Sequence, residues 1–554
     1  MRPNLNALAV LATALVALAA AVALNYGFWW AQGRPQHIPD ARDPRIKSAS
    51  FSPYRPGQSP FGQTFTRTQM EEDMAVAAKY FTRIRTYSNG GQFAAVPELA
   101  RRHGLKVILG AWIGASLSDN EEEIAGAIKA ANDYPDTVER VVVGNEVLLR
   151  DEVTPGLLID YIRRVKAAIK QPVTYADVWE YWLLHPEVAR EVDSITIHVL
   201  PYWENTPTPL DHTIAHMLEA HDKISQAFPG KPVLIGEIGW PSAGRVREGA
   251  VPGRVAQAKF VRQVMNTADE RGIDYNIFEL FDEPWKAAQE GTVGGHWGLV
   301  DKDRHLKFPL TGPVSEKPYW QTAFCASSAL AALLTLLALL LRRPAGPMAA
   351  ARLSLAAQLF ATLLAASAEQ SLLLAFDPVG VAGGIFLTGG GGLLCLLVFS
   401  ELADQAAGRC PGPVPLVPVI ARLEALRSRR SGFFKSRDGL VSVLDLAFAI
   451  AALSQAFGLI VDPRYRDFRV AQFLPVALCL GLRLLATRQP QRPVGSPREE
   501  WLFAAAFAIA AVAIPLLETL QNPAALAWGG TLLLLAAPWA LSIARQHKAV
   551  VLAA

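Results

Sequence analysis

Two kinds of hydrophobic patterning divide this chain. From Ala7 to about Trp30, and again after about residue 321, apolar residues run on without a polar face. Between them, short apolar β-rich runs alternate with segments of helical spacing and charged faces. The short runs are 48–53 (SASFSP), 82–87 (TRIRTY), 106–112 (KVILGAW), 139–146 (ERVVVGNE), 172–176 (PVTYA), 194–200 (SITIHVL), 232–237 (PVLIGE) and 274–281 (DYNIFELF). The helical segments between them include 69–80, 93–103, 121–133, 155–170, 211–227 and 254–271. Eight strands separated by helices over about 270 residues predict an α/β fold, a (β/α)8 TIM barrel spanning 48–312. An open doubly wound sheet is the alternative, but no Gly-x-Gly-x-x-Gly turn follows the first strand. Residues 33–47, polar and proline-bearing, and 313–320 read as linkers.

The unbroken apolar runs predict an all-α, multi-span transmembrane region. The first, within 1–32, ends in Tyr26, Phe28, Trp29 and Trp30, like an interfacial aromatic belt. Ala19-Ala20-Ala21 would suit a signal peptidase, but the run is long for a cleaved leader and reads as an anchor. Seven more spans of about 20 residues fall in 321–554, near 321–341, 352–376, 379–400, 440–461, 468–487, 501–520 and 523–543. With the N-terminus inside, the barrel falls outside and basic residues gather in the inner loops. These are Arg342 and Arg343; the loop 401–439 with Arg409, Arg422, Arg427, Arg429, Arg430, Lys435 and Arg437; Arg488, Arg492 and Arg498; and the terminal Arg545 and Lys548. The outer loops, at Asp377, Asp462 to Arg469, and Glu518, are short and acidic or mixed. Leu416 to Arg430 reads as a basic amphipathic helix on the inner surface. Glu369, Gln370, Asp445 and Arg483 fall within or beside spans, either as functional groups or as interface and interhelix contacts. The expectation is a bacterial inner-membrane protein with both termini cytoplasmic and the barrel in the periplasm.

Composition adds three points. With 554 residues the chain has room for two sizeable domains, and a net charge of +3 gives no argument for a nucleic-acid partner. A mean hydropathy of +0.21 with 51% hydrophobic residues points to a lipid bilayer as partner. The four cysteines, Cys325, Cys395, Cys410 and Cys479, all lie outside the barrel stretch, which also lacks an Asn-x-Ser/Thr sequon. That excludes a disulfide framework or cysteine zinc site in the barrel and fits a bacterial envelope protein.

Two carboxylates stand out by position. Val141-Val142-Val143-Gly144-Asn145-Glu146 carries a buried-strand run straight into Asn-Glu, and Val233-Leu234-Ile235-Gly236-Glu237 does the same on the seventh strand. A carboxylate after an apolar run is costly to bury and should open into a cleft. Loops from strands four and seven lie across a barrel mouth, so the two carboxyls can converge. Retaining glycosidases hold such a pair about 5–5.5 Å apart, inverting ones wider. From spacing alone, either glutamate could equally be a structural ion-pair partner.

The local strings narrow this. Val-Gly-Asn-Glu at 143–146 and Gly-Glu-Ile-Gly-Trp-Pro-Ser at 236–242 resemble the acid/base and nucleophile motifs of glycoside hydrolase family 17. Phe278-Glu279-Leu280-Phe281-Asp282-Glu283-Pro284-Trp285-Lys286 resembles that family's strand-eight motif. Weaker likenesses are Ser52-Pro53-Tyr54, Arg85-Thr86-Tyr87-Ser88 and Ala176-Asp177-Val178-Trp179. Two departures stand out: Leu200 precedes Pro201-Tyr202 where the family has tyrosine, and Ile238 replaces a threonine. The resemblance, over roughly residues 48–310, implies a retaining double displacement on β-1,3-glucan, with Glu237 as nucleophile and Glu146 as acid/base. It also implies Asn145 on the sugar 2-hydroxyl, Tyr202 orienting Glu237, and Glu283 and Lys286 tuning the pair's charge unless they form only a salt bridge. Tyr87, Asp177, Trp179, Glu279 and Trp285 complete the expected substrate contacts. Of the aromatics near strand ends (Tyr87, Trp112, Trp179, Tyr181, Trp182, Trp203, Trp240 and Trp285), about half would line subsites and the rest fill core.

No cofactor is expected, and the scattered histidines (His185, His198, His212, His216, His221, His296, His305) argue against a metal centre. The expected function is remodelling of periplasmic β-glucan, by transglycosylation or as a hydrolytic β-1,3-glucanase; motifs do not separate the two. A non-catalytic glucan-binding part of an export system, beside a glucan synthase or export machinery, is the other reading. Against that stand the intact glutamate pair and the lack of a nucleotide-binding motif or internal repeat. The inner loop 401–439 is too short for the cytoplasmic domain of a processive glycosyltransferase.

Overall fold

The structure, a computed structural model, describes residues 5–410, 436–486 and 498–553. The chain forms two compact units, one of residues 35–314 and one of residues 1–34 with 315–554.

In the first unit eight parallel strands close into a barrel in sequence order. They are β1 (Ile46–Ser50), β2 (Phe81–Arg85), β3 (Lys106–Ala111), β4 (Val138–Asn145), β5 (Val173–Val178), β6 (Ile195–His198), β7 (Val233–Ile238) and β8 (Asp274–Ile277). Side chains alternate across each strand. One set fills the interior, where Ile108, Val142, Ala176 and Leu234 pack together. The other set packs outward under the helices in the larger core. Pairing is irregular near the strand C-terminal ends: between Val142 and Asn145 against β5, between Ile197 and His198 against β7, and between Ile235 and Ile238 against β8. Such bulges re-aim side chains, and they lie where the site forms.

Residues 36–41, expected as linker, are docked on the barrel. Gln36 forms an antiparallel bridge with Val314, and the Ala41 N–H donates to the Leu310 carbonyl at 2.9 Å. The buried Arg262 donates to the carbonyls of Pro39, Pro309 and Gly312 and pairs with Asp40. Their partners lie more than 200 residues away in sequence, so no local periodicity betrays the docking.

The second unit is helical. Seven helices are long and apolar enough to cross a membrane: Leu5–Gly33, Trp320–Arg342, Pro347–Leu373, Pro378–Ala406, Arg437–Val461, Glu500–Leu517 and Pro523–Leu541. The eighth expected span is a shorter helix, Val470–Ala486, of 17 described residues. Of the polar residues noted in the spans, Arg483 is buried in a bidentate pair with Glu401 at 2.7 and 3.1 Å. Glu369 pairs with Lys317 at 2.5 Å, Gln370 binds the Phe468 carbonyl, and Asp445 is buried. The basic helix expected over Leu416–Arg430 lies outside the described residues, as do Lys435, Arg488 and Arg492.

Candidate active site

Four strands deliver a polar cluster to the C-terminal mouth of the barrel. Arg85 ends β2, Asn145 ends β4 with Glu146 next in sequence, His198 ends β6, and Glu237 lies in β7. An oxygen of Glu146, a ring nitrogen of His198 and an oxygen of Glu237 lie within 4.8 Å of one another. The two carboxylates therefore converge, at the close spacing of a retaining pair.

Backbone geometry produces the convergence. Gly144 has φ 85° and Glu146 φ 52°, both in the left-handed region, so β4 breaks its register as it reaches the site. A left-handed non-glycine residue costs on the order of 1 kcal/mol or more and persists only where its surroundings hold it. Here the Glu146 N–H donates to Ala176 at 2.7 Å, and Arg150 caps the Asn145 carbonyl. A Cβ on Gly236 would lie 2.3 Å from Thr196 Cγ2 and 3.2 Å from Arg85 Nη1. Gly236→Ala is therefore expected to lower stability by about 1–3 kcal/mol and to cut activity further by displacing Arg85 and Glu237. Thermal unfolding and kcat/KM, measured together, check both effects.

The buried Arg85 organises the cluster. It donates from Nη1 to the Gly236 carbonyl at 2.6 Å and to Glu237 Oε1 at 3.3 Å, and from Nη2 to Asn145 Oδ1 at 2.5 Å. Nη1 has two hydrogens: with one on the Gly236 carbonyl, the other is shared between Glu237 Oε1 and His198 Nε2, which also lies 3.3 Å away. A guanidinium only donates, so Nε2 is the acceptor and the proton of a neutral His198 sits on Nδ1. That Nδ1–H donates to Glu146 Oε1 at 2.6 Å. Burial pushes the His198 pKa down to about 3, with Arg85 acting in the same direction against Glu237, so the ring is neutral at working pH. The Tyr87 hydroxyl donates to Glu237 Oε1 at 2.9 Å and lies 2.9 Å from Ser50 Oγ, which Asn276 supports.

These contacts leave the second oxygen of each carboxylate open. Glu237 Oε1 is held by Tyr87 and Arg85, so Oε2 can face a substrate. Burial raises the Glu146 pKa, opposed by Arg150 and Arg85, which favours a carried proton. With Oε1 accepting from His198, that proton belongs on Oε2. Asn145 Oδ1 accepts from Arg85, which leaves its amide nitrogen as the donor end of the side chain.

Among the described residues, Glu146, His198 and Glu237 are also the one acidic and histidine group close enough to hold a metal ion. Arg85 reaches into the same triangle and would repel a cation, and the His198 nitrogens face different carboxylates. The donor set fits proton and glycosyl chemistry better than metal ligation. Sequence reading dispersed His198 among the other histidines and left Arg85 and Ser50 without a role. The available signal was their place, since each ends its strand.

Other expected site residues take different places. Tyr202 is fully buried and its hydroxyl donates to the Arg245 carbonyl at 2.6 Å, so its one proton does not orient Glu237; Tyr87 does that. Asp177 follows the inward-facing Ala176, so alternation turns it outward. There it is fully buried, accepting from the Tyr175 hydroxyl and the Val178 N–H, away from a sugar. Tyr175 in turn accepts the Leu148 N–H, so the pair props the loop after Glu146. Burial pushes the Asp177 pKa up to about 7, with Glu146 adding to it.

Lys286 forms a buried cluster with Glu279 at 2.5 Å and Glu283 at 2.7 Å, the salt-bridge alternative. Burial works against its charge, but the two carboxylates outweigh this and raise its pKa. Burial also raises Glu279 well above the usual range, against Lys286. Trp285 meets Tyr54 and the exposed Phe61 edge to face, and Trp179 carries Lys223 over its ring at 4.6 Å. Trp182 and Trp240 are core, while Trp112 is 41% exposed with Arg150 over its ring at 4.4 Å.

Part of the chain is similar to known proteins. Residues 48–298 match the family model of the BtgE/BtgC glycoside hydrolase domain. A glucan 1,3-β-glucosidase of Arthroderma benhamiae is 28% identical over 276 residues, 47% of this chain and 89% of that protein. The probable β-glucosidase btgE of Aspergillus fumigatus is 29% identical over 240 residues, 42% of this chain; the match spans 41% of that relative's length. A crystal structure of the family 17 β-1,3-glucanosyltransferase of Rhizomucor miehei is 28% identical over 48% of this chain and 97% of that one, with a TM-score of 0.43. Residues 48–298, with a glutamate pair at the mouth of a closed parallel barrel, are a glycoside hydrolase domain similar to the BtgE/BtgC type.

Proposed function

We propose that this chain is a retaining β-1,3-glucan-active enzyme that remodels its substrate by glycosyl transfer beside a membrane. The observation that carries it is the Glu146–His198–Glu237 triangle, with its atoms within 4.8 Å of one another. The substrate class is supported by the names of the relatives, a glucan 1,3-β-glucosidase among them. In the first step Glu237 Oε2 attacks the anomeric carbon and the glycosidic C–O bond breaks. The proton on Glu146 Oε2 passes to the leaving oxygen. In the second step Glu146, now a carboxylate, takes a proton from the incoming hydroxyl. That oxygen displaces Glu237, restoring the original configuration. An Asn145 N–H holds the sugar 2-hydroxyl through both steps.

Transfer rather than hydrolysis requires an oriented acceptor, because water is far more abundant. The exposed Trp112, on the β3 loop beside Arg150, supplies a flat apolar face for such a sugar. Tethering by apolar helices would raise the local concentration of an emerging glucan. Incubating the full chain with millimolar laminari-oligosaccharides is expected to give products longer than the substrate alongside shorter ones. Linkage analysis then separates β-1,3 extension from β-1,6 branching. Only shorter sugars across a wide substrate range would make the enzyme a hydrolase, and unchanged substrate would favour a glucan-binding component.

The apolar helices support a multi-pass membrane protein, and from the basic loops we infer a bacterial inner membrane with the barrel on the periplasmic side. Reporters fused after residue 320 are expected to read as external and those within 401–439 as cytoplasmic. Protease added to spheroplasts should release the barrel; cleavage within 401–439 instead would reverse the orientation.

A further inference from the structure

We propose that His198 is the positioning residue that sets the two working states of Glu146, through a one-way hydrogen bond whose direction Arg85 fixes. This rests on the retaining reading above. Arg85 occupies Nε2 from one side, and Glu237 Oε1 lies 3.5 Å from the same nitrogen. A cation cannot accept a proton, so Nε2 stays an acceptor and Nδ1 keeps its hydrogen. The Nδ1–H therefore points at Glu146 Oε1 in every state of the cycle, at 2.6 Å. The ring is almost wholly enclosed, 1% exposed, so it has no alternative partner in solvent.

A fixed donor acts differently on the two forms of the carboxyl. To the protonated acid it gives an ordinary hydrogen bond and confines the proton to Oε2, the oxygen left for the leaving group. To the carboxylate left after bond cleavage it gives a charge-assisted bond, which is roughly twice as strong. His198 thus eases proton release in the first step and holds the base in place for the second. It opposes the burial that raises Glu146. The other ionisable groups around Glu146 are Arg85 on β2, Arg150 on its own loop, Asp177 on β5, Glu237 on β7 and Glu290 beyond β8. Tyr87, beyond β2, acts through Glu237. None of these carboxylates can donate while ionised, and the described bonds of Arg85 and Arg150 go to other atoms of the site. The imidazole is therefore the donor on Glu146 Oε1.

Two substitutions separate this role from packing. The side-chain amide of asparagine reaches the imidazole Nδ1 position, where its nitrogen can donate, whereas that of glutamine reaches the Nε2 position, where its oxygen can accept from Arg85. His198→Asn keeps a donor for Glu146; His198→Gln keeps a group facing Arg85 and loses that donor. The measurement is the kcat/KM pH profile of the full chain in detergent, with laminari-oligosaccharide and with a dinitrophenyl laminari-oligosaccharide whose leaving group needs no proton. With the natural substrate, His198→Gln is expected to move the basic limb up by about one pH unit. His198→Asn should keep that limb at the wild-type position. With the dinitrophenyl substrate the shift should vanish, because the first step no longer draws on Glu146.

A loss of activity in both variants with unmoved limbs would make His198 a packing residue and overturn the proposal. So would equal shifts in both, or a shift that persists with the dinitrophenyl substrate. Full activity of Glu146→Gln on the natural substrate would instead remove the retaining reading, and this proposal with it.

Discussion

Glu237→Gly is expected to turn over laminari-oligosaccharides at least about 10⁴-fold more slowly than the wild type, with folding intact. In the proposed mechanism the glutamate supplies the nucleophile, and nothing else in the cluster can replace it: Arg85 and His198 have no free lone pair toward the substrate, and Tyr87 points its proton at the same site. Removing the carboxylate opens a space about the size of a small anion beside the Arg85 guanidinium. Azide should enter it and attack the anomeric carbon from the face that Glu237 used, while Glu146 still protonates the leaving oxygen. The product is then an α-glycosyl azide of inverted configuration, formed at a rate that rises with azide concentration. Its appearance by NMR identifies the nucleophile. Wild-type turnover in Glu237→Gly, or a β-azide in its place, would reject the assignment.

The second large effect belongs to Glu146→Ala, and its size should depend on the leaving group. General acid assistance is worth about 10²–10⁴-fold, so natural oligosaccharides lose that much. A dinitrophenyl glycoside should form the glycosyl-enzyme at near wild-type rate and then stall, since no base activates the acceptor. Azide needs no base and should release the sugar from Glu237 as the β-azide. Opposite anomers from the two variants would give each glutamate its role. The basic limb of the pH profile should also disappear in Glu146→Ala, because the protonated acid that produced it is gone. Mixed anomers from either variant would mean that the carboxylates share roles, against the asymmetric geometry. Glu237 Oε1 accepts from both Tyr87 and Arg85, whereas Glu146 Oε1 accepts from His198 alone among the described bonds.

The architecture of this chain is written in local patterning, because a strand or a helix betrays itself through the period at which its side chains meet one core. Runs such as 106–112 and 139–146 predict strands that the barrel places at Lys106–Ala111 and Val138–Asn145. Glu146 and Glu237 were legible for the same reason: each is a charge at the end of an apolar strand, and such a charge must reach a cleft or a partner. The apolar helices were legible from composition alone. Pairings between distant residues were not. Residues 36–41 look like linker until Val314, Leu310 and Arg262 meet them. Asp177 and Glu237 both sit near strand ends in the sequence, yet Asp177 faces outward onto Tyr175 and only Glu237 reaches the mouth. That difference depends on strand phase and bulges, which no local string states. Tyr87 takes the role expected of Tyr202, because a hydroxyl has one proton and its target depends on which acceptor the fold brings within reach. Arg85 opens a weak motif likeness that assigns it no role, and His198 lies in none. Only closure of the barrel brings the ends of β2, β4, β6 and β7 within hydrogen-bond distance, and only there does an arginine that cannot accept a proton decide which nitrogen of His198 keeps one.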